Sequence, residues 1–157
     1  NSTFTNQGYV GSYIVFNPSQ VQAPLDNSNA WSARTGDKTI NAFAGVPASG
    51  ETNGNDDRLI SPQMTLGSSG NSLSFWAKAP TDLYGPELFD VEISTTGTNA
   101  GDFTTLLTDQ APSVEVWEEF IVDLDGKTGD YLELRVQDDL TDLLDFEIKC
   151  QGRLFGG

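Results

Sequence analysis

The sequence contains no histidine, one cysteine (Cys150) and only eight Lys and Arg residues among its 157 residues. Without histidine the chain cannot build a Ser-His-Asp triad, a Cys-His pair or an imidazole-bound metal site. One cysteine excludes an internal disulfide framework and any zinc site made of several cysteines. Carboxylate and amide chemistry remain, and among metals calcium suits oxygen ligands of this kind.

The charge balance is strongly acidic, with 23 Asp and Glu residues and a formal net charge of −15 at pH 7. Such a chain lacks the basic surface that binds nucleic acid, so no nucleic-acid partner is expected. No apolar run approaches the roughly 20 residues of a membrane-spanning helix, so no membrane insertion is expected. The apolar fraction of 37% is nevertheless sufficient for a folded core.

Short apolar runs interrupted by Gly, Pro, Asn, Asp and Ser indicate an all-β protein. The clearest alternation lies in residues 73–79 and 88–95, which we expect to be neighbouring core strands. Other strands are predicted over residues 9–16, 39–43, 117–124, 131–137 and 143–149. This series predicts a jelly-roll β-sandwich of two antiparallel sheets.

Two turn-rich segments separate the predicted strands. Residues 24–37 surround one large apolar side chain, Trp31, and predict a long loop with that side chain directed inward, while residues 45–57 predict a surface loop. No second domain or internal repeat is evident. We therefore expect a single β-sandwich domain over residues 1–149, with residues 150–157 as a C-terminal tail or an edge strand.

A distinctive order of short motifs runs through the middle of the chain. Residues 57–62 read DRLISP, residues 73–78 read LSFWAK, residues 94–97 read STTG, and residues 102–104 read DFT. This order and spacing resembles the cleaved-adhesin family, also described as choice-of-anchor J domains, whose jelly-roll modules are related in architecture to MAM domains. The resemblance implies a module of a larger secreted or cell-surface bacterial protein, associated with adhesion. It does not imply a catalytic site.

Clustered oxygen ligands suggest one metal site. Asn55, Asp56, Asp57 and Asp145 could together hold a structural calcium ion, which would turn carboxylate repulsion into coordination and tie the long loop to the last strand. The spacing does not match the local calcium loop of an EF-hand. The equally weighted alternative is that residues 53–57 form a solvated turn without metal.

Three residues are candidates for ligand binding. Trp31 and Tyr84 lie in predicted loops, where flat aromatic faces can stack on sugars or contact protein partners, although either ring could instead cover the core. Arg58 is one of few cations and could orient a ligand carboxylate. The alternative for Arg58, and likewise for Lys78, is a partner within the molecule.

A carboxylate-based enzyme such as a glycosidase would need a convergent acidic pair. Glu92, Glu118, Glu119 and Glu133 lie on predicted strands, but all are explained as solvent-facing positions, so we expect no enzyme. The leading hypothesis is a non-catalytic adhesion or substrate-attachment module, stabilised by calcium, that binds an extracellular glycan or protein and contacts neighbouring domains of a parent protein. The alternatives are a self-assembling structural domain and a carbohydrate-binding accessory domain of a secreted hydrolase.

Overall fold

A computed structural model describes residues 13–21, 28–43, 56–82, 86–127, 131–137 and 143–149. Its described part contains nine β-strands and two single-turn 3-10 segments, at Pro18–Gln20 and Ala100–Asp102. The strands are β1 (Tyr13–Phe16), β2 (Thr39–Phe43), β3 (Asp56–Ile60), β4 (Ser72–Lys78), β5 (Leu88–Ser94), β6 (Phe103–Gln110), β7 (Glu118–Asp123), β8 (Tyr131–Gln137) and β9 (Leu143–Lys149).

The strands form two antiparallel sheets with a jelly-roll order. Sheet A has the order β1-β2-β9-β4-β7, and sheet B has the order β3-β8-β5-β6. Most connections pass from one sheet to the other, so that strands distant in sequence pair with each other, as β2 does with β9 and β3 with β8. The expected all-β jelly-roll sandwich of two antiparallel sheets is confirmed.

The core lies between the two sheets and is centred on three phenylalanine rings. Phe75 of β4 and Phe120 of β7 are stacked with centroids 5.4 Å apart, and Phe89 of β5 meets them edge-on at 5.6 and 5.0 Å. Val91 and Ile93 continue the buried face of β5, as the alternation predicts. Burial of each such side chain contributes about 1.5–3 kcal/mol to the free energy of unfolding.

The contact between Phe75 and Phe89 corrects the predicted relation of β4 and β5. We expected neighbouring strands, but β4 pairs with β7 and β9 in sheet A, whereas β5 pairs with β6 and β8 in sheet B. The two strands therefore face each other across the core. A period-two pattern identifies the buried face of a strand but carries no information about which strand is its partner.

Most of the predicted strand bounds agree with the structure to within one residue, but no strand was predicted at β3. Residues 39–43, 131–137 and 143–149 form the strands predicted for them. The first strand begins at Tyr13 within the described residues, and the predicted loop over 45–57 is wrong at its end, because Asp56 and Asp57 pair with β8 as part of β3. No strand was predicted at β6. The proposed domain boundaries stay a prediction, because residues 1–12 and 150–157 lie outside the described residues.

Edge strand β6 is irregular where it pairs with β5. The register shifts twice between Phe89 and Glu92, and Asp109 of β6 has a positive φ of 50°. Asp90 stabilises this bulge because its Oδ1 accepts a hydrogen bond of 2.9 Å from the Asp109 N–H. Bulges of this kind twist an edge strand and discourage pairing with another chain.

Candidate binding surface

The outer face of sheet A is covered in part by the segment that precedes β2. Lys78 of β4 is fully buried, and its Nζ donates hydrogen bonds to the carbonyl oxygens of Asn29 and Ser32, the latter at 2.8 Å. Trp117 Nε1 donates a bond of 3.2 Å to the same Ser32 oxygen, and its ring lies 4.8 Å from the Lys78 ammonium. Buried carbonyls and a buried cation satisfy each other here, so residues 29–32 are fixed to the sheet.

A second cation holds the same segment over Trp76. The Arg34 guanidinium carbon lies 3.8 Å from the centroid of the Trp76 ring, which is half-buried on the outer face. Phe75, the preceding residue, is fully buried in the core. Of these two adjacent residues, Phe75 therefore faces the interior and Trp76 is covered by the segment that carries Arg34.

Trp31 packs beside an open cleft on this surface. Its ring lies 6.3 Å from that of Phe16, with the two planes inclined by 60°, and it is half-buried. The residues that follow these two rings line a cleft of about 290 Å³, which we call the Trp31 cleft: Asn17, Pro18, Ser19, Ser32, Ala33, Gly36 and Asp37. The cleft is therefore lined mainly by polar residues, and each of its walls begins at the residue after one of the two rings.

Local turns shape both walls of the Trp31 cleft. On one wall, Asn17 Oδ1 accepts from the Ser19 N–H at 2.9 Å and caps the 3-10 turn that Pro18 begins. On the other wall, Gly36 adopts a φ of +68°, a backbone conformation that side chains disfavour. Exposed Asp37 follows this turn. Asp37, Ser19 and Ser32 are thus among the lining residues. The Ser19 hydroxyl donates to Asn17 Oδ1 at 2.7 Å and the Ser32 hydroxyl donates to the Asn29 carbonyl at 3.3 Å.

Arg58 is held by sheet B. Its Nη2 lies 3.6 Å from Glu92 Oε2, and its guanidinium lies 5.6 Å from the centroid of the Phe103 ring. Glu92 Oε1 accepts a 3.0 Å hydrogen bond from the Thr105 hydroxyl. For Arg58 the alternative of an internal partner is therefore confirmed.

Glu92 departs from the expected solvent-facing position. It lies on the outer face of β5 as predicted, yet its exposed fraction is only 6%, and Asp90 and Ser94 on the same face are equally buried. Arg58 and Thr105 engage both of its carboxylate oxygens. The alternation predicted correctly that Glu92 lies on the outer face of β5. It did not predict that Glu92 is buried there, because this burial comes from side chains of β3 and β6.

The predicted calcium ligands are distributed over both sheets. Asp56 and Asp57 are successive residues of β3 in sheet B, and successive strand positions belong to opposite faces. Asp145 is in β9 of sheet A, where the backbone register pairs it with Asn41 and Lys78. Asn55 lies outside the described residues. Where side chains are described, no three carboxylate, thiol or imidazole groups converge on a metal-sized space, and the calcium site stays a prediction.

Tyr84, the remaining ligand candidate, lies outside the described residues. Ser19, Ser32, Arg34 and Asp37 were not predicted as site residues, although Trp31 was. The only sequence signal near them is the turn-rich composition around Trp31. Ser32 and Asp37 come close to the turn that contains Ser19 because β1 pairs with β2. No local sequence pattern specifies that pairing.

Comparison with known proteins identifies the family of this sandwich. A family model described as Cleaved Adhesin Domain matches residues 20–144. The chain belongs to the cleaved adhesin family. The resemblance inferred from the motifs of residues 57–104 is thereby confirmed. No curated protein gives a significant match to this cleaved adhesin domain.

Solved structures agree with the family assignment. The K2 cleaved adhesin domain of Lys-gingipain is similar with a TM-score of 0.64 and 21% identity, over 94% of this chain and 85% of that one. The K1 domain of Lys-gingipain from Porphyromonas gingivalis W83 has a TM-score of 0.60 and 24% identity, over 94% and 95%. At these identities the likeness establishes the fold.

A carbohydrate-binding module also shares the fold. The structure titled TmCBM61 in complex with beta-1,4-galactotriose has a TM-score of 0.51 and 13% identity, over 94% of both chains. In the described part of this cleaved adhesin domain, no helix has the length and apolar character needed to cross a membrane. Function must therefore be argued from the surface of the sandwich itself.

Proposed function

We propose that this cleaved adhesin domain is a non-catalytic attachment module that binds neutral glycans in the Trp31 cleft. The observation that carries the proposal is a polar cleft whose two walls directly follow the packed aromatic residues Phe16 and Trp31 in sequence. Sugar recognition needs this combination, because the apolar faces of sugar rings pack on aromatic rings while their hydroxyl groups require hydrogen-bond partners.

The rigidity of the loop supports the same proposal. Lys78 and Trp117 both bind the Ser32 carbonyl, and Arg34 packs on Trp76, so the wall that carries Ser32 is fixed before any ligand arrives. Preorganisation of this kind reduces the entropy lost on binding. A glycan ligand is consistent with membership of an adhesin family. It is also consistent with the fold shared with a module solved in complex with a galactose trisaccharide.

Charge selects the class of glycan. The domain has a formal net charge of −15, and exposed Asp37 lines the Trp31 cleft. Sulfated or uronic-acid glycans would be repelled by this field, whereas neutral hexose chains would not. We place the domain in a larger secreted or cell-surface protein, where attachment to such chains would localise its neighbouring domains.

The test is binding to an array of neutral and acidic glycans, followed by calorimetry with the best neutral oligosaccharide. Trp31→Ala and Asp37→Asn should each weaken binding by about tenfold or more, which corresponds to roughly 1.4 kcal/mol. Asp82→Asn, at an exposed position outside the cleft, is the matched control and should leave the affinity unchanged. Thermal melts of all variants separate lost binding from lost folding.

Two results would contradict the proposal. One is the absence of any neutral glycan ligand on the array at high protein concentration. The other is that Asp37→Asn and Trp31→Ala both bind the glycan with unchanged affinity while Trp31→Ala melts normally. That result would place the ligand elsewhere.

Calcium stabilisation is a separate part of the proposal. Calcium prefers oxygen donors of the kind supplied by Asn55, Asp56, Asp57 and Asp145. Adding calcium to protein that has been treated with a chelator should therefore raise its melting temperature. Calorimetry should then show heat when calcium is added back. An unchanged melting temperature and no heat would remove calcium from the account without affecting glycan binding.

A further inference from the structure

Exposed apolar side chains in the described residues are concentrated on one segment. Val114, Val116 and Ile121 expose 37%, 62% and 66% of their surface, and the remaining large exposed apolar residue, Val15, lies on β1. Single exposed apolar residues are ordinary, but a run of them along one segment marks a contact surface.

This segment forms the edge of sheet A. β7 pairs with β4 from Glu118 to Asp123 without a register shift, and in the described part of the chain no strand lies on its other side. Residues 113–115 lie beside Ala79, whose N–H donates to the Ser113 carbonyl at 3.1 Å and whose carbonyl accepts from the Glu115 N–H at 2.8 Å. This bridge is parallel, so the segment runs opposite to the antiparallel β7 and does not continue it. Edge strand β6 is bulged, whereas β7 is regular and suited to pairing.

The outer face of β7 has a defined charge pattern. Glu119, Ile121 and Asp123 alternate along it and are all exposed, so one apolar residue lies between two carboxylates. On the other face, Phe120 and Val122 belong to the core. A second copy of β7 would place carboxylates against carboxylates, which is unfavourable in a strand pair. A strand with cations on both sides of an apolar residue is complementary.

We propose that β7 binds an extended cationic peptide segment of another domain or protein by adding it as a further strand to sheet A. The fitting pattern places Arg or Lys opposite Glu119 and Asp123 and an apolar residue opposite Ile121, with small residues between. Backbone hydrogen bonds along the edge supply affinity, and the three alternating side chains supply specificity.

The test uses a labelled peptide that contains Arg-Thr-Val-Thr-Arg, measured by fluorescence anisotropy, with NMR shifts to locate the contact. Ile121→Lys should weaken binding by about tenfold or more, because it places a cation against a cationic strand. Val15→Lys is the matched control, since it introduces the same charge at an equally exposed edge position, and it should change the affinity by less than about twofold. A peptide methylated on alternate backbone nitrogens should not bind.

Each other outcome overturns the proposal. Equal binding of the methylated peptide would mean charge attraction without strand addition. Equal loss in Ile121→Lys and Val15→Lys would mean a non-specific field effect. Absence of peptide binding would mean that the edge has no cationic partner. Self-association in sedimentation experiments, abolished by Ile121→Lys, would mean that the partner is a second copy of the domain.

Discussion

At the scale of single residues, Lys78 has the largest structural role among the described cations. Its side chain is fully buried and donates to two carbonyl oxygens of a loop about 46–49 residues earlier in the chain. We predicted an internal partner for this cation, and the structure confirms it. Two of its partners are carbonyl oxygens of the main chain.

Lys78→Met keeps the length of the side chain and removes the ammonium group. The carbonyls of Asn29 and Ser32 then lose a donor, and the free energy of unfolding should fall by about 1–3 kcal/mol. Urea denaturation with tryptophan fluorescence measures this loss and also reports the environment of Trp117. Lys127→Met, at an exposed position, should have almost no effect. Equal or greater stability of Lys78→Met would mean that packing, not the cation, fixes the loop.

At the scale of elements, one carboxylate joins the two turns at the end of the β4–β7 pair where Ser72 is paired with Asp123. Asp125 accepts hydrogen bonds from the backbone N–H groups of Gly70 at 2.9 Å and Asn71 at 2.7 Å. These backbone N–H groups, that of Asn71 first, lower the pKa of the exposed Asp125 carboxyl below its ordinary value of 3.8. The carboxylate form therefore stabilises the folded state.

The stability from Asp125 should depend on pH with a definite sign. Because its pKa is lower in the folded state, its contribution is complete above the unfolded pKa of about 3.9 and is lost as pH falls through the folded pKa. Asp125→Asn should therefore be less stable than the wild type near neutral pH, with a difference that shrinks at acidic pH below that point. Thermal melts across this pH range measure the difference. A difference that stays constant into acid would refute the role of charge.

The elements that the sequence predicted correctly are those with regular alternation. Leu73 to Ala79 and Leu88 to Ser94 could be read directly, because their apolar residues recur at every second position. No strand was predicted at β3, whose first residues Asp56 and Asp57 have turn composition, and none was predicted at β6, whose bulges disrupt the alternation. Trp31 was recognisable as a site residue, but Asp37 was not, since the cleft forms only when two separate turns meet.

At the scale of the whole molecule, charge repulsion opposes folding. A net charge of −15 is confined to one sandwich, and salt shortens the range of this repulsion to about 8 Å at physiological ionic strength. The folded state, which holds the charges closer together than the unfolded chain does, gains more from this screening.

The melting temperature should therefore rise as sodium chloride increases from about 10 mM to about 150 mM. Differential scanning calorimetry at neutral pH measures the change. The rise should be smaller near the isoelectric point of about 4.1, where the net charge is small, and this comparison is the control. A melting temperature that falls with salt at neutral pH would mean that local attractive pairs outweigh the net repulsion.

The position of β9 in sheet A affects how this domain forms during synthesis. β9 lies between β2 and β4, so the sheet remains divided into two separate parts until the latest described strand is available. A nascent chain that has emerged only as far as β8 therefore exposes two unpaired strand edges and the apolar face between them. Until β9 has emerged and entered sheet A, these edges are open to pairing with other chains, which favours aggregation.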